Sequence, residues 1–118
     1  MNTLSAENSL VLIIDIQDRL VAALNKDVIV ENSVKVASAA KALNIPVILT
    51  EQYPKGLGHT VQRLMDVLPE GSEVVEKTYF NALLEDGMLE KIKSYGKKQI
   101  VIFGIETHIC VHQTASAL

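Results

Sequence analysis

Four short apolar runs punctuate the chain, and apolar residues between them fall at helical spacing. Leu10 to Ile14 is continuously apolar, which marks a strand covered on both faces, as in a parallel sheet. From Asp27 to Leu43, Val30, Val34, Ala37 and Ala40 recur at helical intervals, with Glu31, Lys35 and Lys41 between them. That pattern predicts an amphipathic helix. Asn44 ends it, and Pro46 opens a second strand over Val47 to Leu49. Pro54, Gly56 and Gly58 make Gln52 to Gly58 a loop. A short helix is expected over Val61 to Leu68, closed by Pro69-Glu70-Gly71. A short strand at Val74-Val75 follows, then a helix from Met88 to Tyr95 stopped by Gly96. Ile100 to Phe103 is the last strand, and a helix begins at His108.

Such alternation implies right-handed βαβ crossovers and a three-layer α/β/α sandwich around a mainly parallel sheet. With 118 residues the chain is a single domain, residues 1–118. It stops at Leu118, about two turns into the last helix. The strand before that helix would then stand as an edge or a poorly covered strand, so a C-terminal part is expected to be missing.

Composition narrows the function classes. The balance of 48% hydrophobic and 21% charged residues is that of a globular protein rather than a disordered one. A formal net charge of −3 gives no electrostatic footprint for nucleic acid or anionic membrane. No apolar run approaches the roughly 20 residues of a membrane span, and Met1 to Ser9 carries no secretory pattern. One cysteine excludes an internal disulfide and fits a reducing compartment. A cytoplasmic protein that acts on a small molecule is expected.

In doubly wound sheets, ligands bind beyond the carboxyl ends of the strands. Asp15 ends the first strand, where burial suits a carboxylate to general-base work. Lys77 follows Val74-Val75, where an ammonium can stabilise negative charge. Cys110 stands beyond the last strand, after a turn at Gly104 and at the start of a helix. A helix N-terminus lowers a thiol's pKa and leaves backbone N–H groups free for an oxyanion. Base, cation and thiol converging on one crevice meet the requirements of covalent catalysis.

Three segments carry a resemblance: Leu12-Ile13-Ile14-Asp15-Ile16-Gln17, Glu76-Lys77-Thr78-Tyr79-Phe80, and Gly104-Ile105-Glu106-Thr107-His108-Ile109-Cys110-Val111. In this order they resemble the isochorismatase-like cysteine hydrolases, which include nicotinamidases. The resemblance implies an Asp15–Lys77–Cys110 triad, a cis peptide between Ile105 and Glu106, and an oxyanion hole from the N–H groups of Glu106 and Cys110. It further implies a six-stranded parallel sheet, of which two strands would be absent here, and a homo-oligomer. Phe80 is similar to an aromatic pocket wall of the family, and Gln17 and Tyr53 are candidates for the same pocket.

The segment Thr50 to His59 departs from the nicotinamidase pattern. It offers Glu51 and His59 but no Asp-x-His pair, and three suitable ligands are the usual minimum for a catalytic zinc. No metal and no cofactor are expected, and nicotinamide is a poor substrate. His108 and His112 are four apart but lack a third ligand, so surface or packing roles are expected. A cysteine nucleophile favours cleavage of a small amide-type C–N bond. The alternatives are a catalytically silent small-molecule-binding protein and a redox sensor using Cys110.

Overall fold

The computed structural model describes residues 3–24, 26–105 and 107–118, with only the backbone at 107 and 108. Strands β1 (Ser9–Ile14), β2 (Val47–Gln52), β3 (Glu73–Lys77) and β4 (Gln99–Gly104) alternate with helices α1 (Asp18–Leu24), α2 (Asp27–Ala42), α3 (Pro54–Leu57), α4 (Gln62–Met65), α5 (Met88–Ser94) and α6 (His112–Ala117). A 3₁₀ turn spans Ala82–Leu84, and a wide π-helical turn over Thr107–Val111 leads into α6. The four strands pair in parallel, in the order β3-β2-β1-β4.

Two apolar clusters sandwich the sheet. Val11, Ile13, Val47 and Leu49 face Val21 of α1, Val30, Ala37 and Ala40 of α2, and Leu64 of α4. Leu10, Leu12, Ile14 and Ile48 face Met88 and Ile92 of α5, together with Cys110 and Val111. This is the expected three-layer α/β/α arrangement. All six residues of β1 are buried, as its unbroken apolar run requires for a strand with neighbours on both edges. The strand β4 pairs with β1 along its whole length, and five of its six residues are only partly buried. Among the described residues, no helix is long and apolar enough to cross a membrane.

The differences from the sequence pattern are local. α2 falls where the spacing placed it. The strands β2 and β3 are longer than their apolar cores, because Thr50, Glu51 and Gln52 continue β2 and Glu76 and Lys77 continue β3. Lys77 is thus the last residue of its strand rather than a residue beyond it. α1 and α3 are additional. α1 buries only Val21, so its periodicity is weak, and α3 is a single turn started by Pro54 within the expected loop.

Gly104 lets β4 approach β1 closely. A Cβ there would run into the Ile14 carbonyl oxygen and lie 2.9 Å from both Ile14 Cβ and Val111 Cγ2. This close approach sets the turn bearing Cys110 directly over the end of β1.

Candidate active site

The crossovers reverse direction between β1 and β4, which opens a crevice above their carboxyl ends. Asp15 follows β1 with a left-handed backbone, φ 57°. A non-glycine residue in this region is uncommon and costs of order 1 kcal/mol, a cost that concentrates at functional sites. Its side chain is wholly buried. Thr50 Oγ1 donates to Asp15 Oδ1 at 2.7 Å, and Lys77 Nζ lies 3.0 Å from Oδ2. Among the described residues Oδ2 accepts no hydrogen bond, and its contact with Lys77 is an ion pair.

Lys77 is also sealed, at 1% exposure. Its ammonium donates to Gln52 Oε1 at 2.7 Å and to the carbonyl of Tyr79 at 2.9 Å, with the Phe80 carbonyl at 3.4 Å. A buried ammonium survives only with partners of this kind. Strand alternation explains the convergence. Thr50 and Gln52 continue the face of Ile48, and Lys77 continues that of Val75; both faces pack into the Cys110 cluster. Register then places Gln52 beside Lys77 and Thr50 beside Ile14.

Cys110 is 3% exposed and sits within the π-helical turn that precedes α6. The expectation of a lowered pKa does not hold. Burial, and next the negative charge of Asp15, push the thiol up to about 11, with Lys77 pulling against them. Desolvation outweighs any helix-end field, because a thiolate inside an apolar cluster loses its water. The thiol is therefore neutral at pH 7. The segment after Lys77 is tied to the same helix, for the Ala82 N–H donates to Thr114 Oγ1 at 3.0 Å, one turn beyond Cys110.

Asp15 and Cys110 line a cavity of about 110 Å³ together with Leu20, Gln52, Leu57, Phe80 and Ile109. Phe80 stands half exposed at the wall. Gln17 does not. Fully buried, it accepts from the Gln52 N–H at 2.7 Å and donates to the carbonyls of Gln52 and Gly58 at 2.9 and 2.7 Å. It clamps the loop and does not line the cavity. Tyr53, with φ 39°, lines a separate cavity of about 630 Å³ beside His59, Glu76, Lys77 and Glu85. Ile105 is buried below the turn. Glu106, with the cis peptide and the N–H assigned to it, lies outside the described residues, as does the side chain of His108; His112 is exposed at the start of α6.

Glu51 and His59 do pair. Glu51 Oε1 meets His59 Nδ1 at 3.0 Å, and Oε2 accepts from Thr60 N–H at 2.7 Å and Thr60 Oγ1 at 2.8 Å. Burial works to raise the Glu51 carboxyl, but these donors outweigh it and hold it below its usual value. The hydrogen bond and the charge of Glu51 raise His59. Among the described residues, no three His, Cys, Asp or Glu side chains group as metal ligands. Thr50, Gln52 and the Glu51–Thr60 link were not singled out from the sequence. Their signal was three consecutive polar residues, Thr50-Glu51-Gln52, at the end of an apolar run.

The model of the isochorismatase domain matches residues 9–118. An isochorismatase family protein 1A from Dictyostelium discoideum is 38% identical, over 97% of this chain and 57% of its own length. The structure called MAR1 ribonuclease from Caenorhabditis elegans superposes with a TM-score of 0.89 at 33% identity, covering 98% of this chain and 59% of that one. The ycaC gene product of Escherichia coli, described as an octameric hydrolase of unknown specificity, gives 0.86 at 28% identity, over 97% and 58%. The chain belongs to the isochorismatase family. It spans between half and two thirds of the length of these three relatives.

Proposed function

We propose that this protein is a cysteine hydrolase that cleaves a small amide-type C–N bond through a thioester on Cys110. One observation carries the reading. A buried carboxylate oxygen that accepts no hydrogen bond among the described residues, Asp15 Oδ2, lies beside Lys77, and Asp15 lines the same cavity as the thiol. An acceptor in that state costs free energy unless a proton reaches it, and the neutral thiol of Cys110 supplies one.

Asp15 takes the thiol proton as Sγ attacks the substrate carbonyl, so the thiolate exists only while the S–C bond forms. The oxyanion is taken by the backbone N–H groups of Cys110 and Glu106; one such donor is typically worth about 3 kcal/mol of barrier. Asp15 returns the proton to the leaving amine, then draws one from the water that hydrolyses the thioester and passes it to the departing Cys110 sulfur. Lys77 keeps Asp15 in place and offsets its charge. The redox-sensing alternative needs a thiolate at neutral pH, and burial opposes one.

The name of the nematode relative raises RNA as a substrate. A net charge of −3 and a cavity of about 110 Å³ both argue against a polyanion. The octamer of the bacterial relative favours a homo-oligomer here as well, which light scattering would test.

The deciding experiment pairs ammonia release from a panel of small primary amides with intact-mass detection of an acyl adduct. Wild type should give both and Cys110→Ala neither. Turnover that survives in Cys110→Ala sinks the proposal.

A further inference from the structure

We infer that the cavity beside Cys110 selects short, uncharged acyl groups and turns carboxylated ones away; this rests on the hydrolase reading above. About 110 Å³ is small beside the roughly 300–1,000 Å³ of ordinary small-molecule pockets. The walls from Leu20, Leu57, Phe80 and Ile109 are apolar, and no cation is among the described lining residues. The nearest positive charge is already spent. Lys77 has three protons, and four oxygens surround them: Asp15 Oδ2, Gln52 Oε1 and the carbonyls of Tyr79 and Phe80. Gln52 gives its Oε1 to Lys77 and turns Nε2 to the Thr78 carbonyl at 3.2 Å. A substrate carboxylate would therefore lose its water, meet no counter-ion and face Asp15, whereas a neutral acyl chain loses little on entry.

Iodoacetamide and iodoacetate test this, because they are nearly equal in size and differ in charge. With either, an S–C bond forms, iodide leaves and the thiol proton passes to Asp15. Modification of Cys110 in the folded full chain is followed by intact mass, and each rate is divided by that of free cysteine. The amide should be favoured at least about tenfold. Leu57→Lys, or Phe80→Lys at the half-exposed wall, should shrink that preference by supplying a cation. Equal normalised rates in wild type, alongside amide turnover, overturn the selectivity and leave the hydrolase reading standing. If neither reagent modifies the native chain, no amide is turned over, and both reagents modify the urea-unfolded chain, the reading and the inference fall together.

Discussion

Replacing Lys77 by Met removes the ammonium and keeps the length of the side chain. It leaves Asp15, whose side chain is 1% exposed, with the Thr50 Oγ1 hydrogen bond but without the cation beside it. Removing one member of a buried ion pair typically costs about 3–5 kcal/mol, since the surviving charge keeps its desolvation penalty and loses its compensation. A chain of 118 residues has about 6–18 kcal/mol of total stability, so the variant should fold but unfold at clearly lower urea. The m-value should stay constant if only stability changes. The double variant Asp15→Asn, Lys77→Met removes both charges, and an amide at position 15 still accepts from Thr50. It should regain at least about 1 kcal/mol over Lys77→Met, a non-additivity expected of groups in contact. If Lys77→Met costs under about 1 kcal/mol, or if the two losses add, Asp15 and Lys77 are not the coupled pair described here.

Gly104→Ala should cost about 1–3 kcal/mol, because the new methyl meets the Ile14 carbonyl and Val111 Cγ2; an unchanged melting temperature would contradict that packing. Alkylation of Cys110 should be slow at pH 7 and climb toward about 11. Asp15→Asn should move the profile down, since the carboxylate raises the thiol, and Lys77→Met should move it up; opposite shifts would reverse the assignment. Glu51 sits below and His59 above its usual value. The carboxylate's contribution is lost as pH falls through its lowered pKa, and that of the imidazolium as pH rises through its raised one. The link should therefore be strongest between about pH 4.5 and 6.5. The stability gap between wild type and His59→Ala should narrow from pH 6 to pH 8, and a gap that widens would rule the pairing out.

Much of the fold was legible along the chain. The buried run of β1 and the periodicity of α2 are local patterns set by burial on two faces or one, so their positions could be read with no knowledge of neighbours. Weak elements were not. α1 buries one side chain and α3 is a single turn, and neither leaves a period to count. The site divides in the same way. Asp15, Lys77 and Cys110 could be placed at strand ends, and Phe80 at the cavity wall. Gln52 looked like the beginning of a loop, and Thr50 fell past the expected strand, until register put them beside Lys77 and Ile14.

The sequence by itself determined the order of elements and the class of fold, because both depend on residue type and spacing, and it marked Asp15, Lys77 and Cys110 as candidates. Tertiary structure decided the state of those side chains. A lysine reads as solvated until four oxygens close around it. A glutamine reads as a pocket residue until it is found clamping a loop. A thiol at a helix start reads as acidic until burial and a neighbouring carboxylate push it up to about 11. Desolvation and Coulomb energies depend on what lies within a few ångströms across the sheet, and that neighbourhood exists only once distant segments have packed.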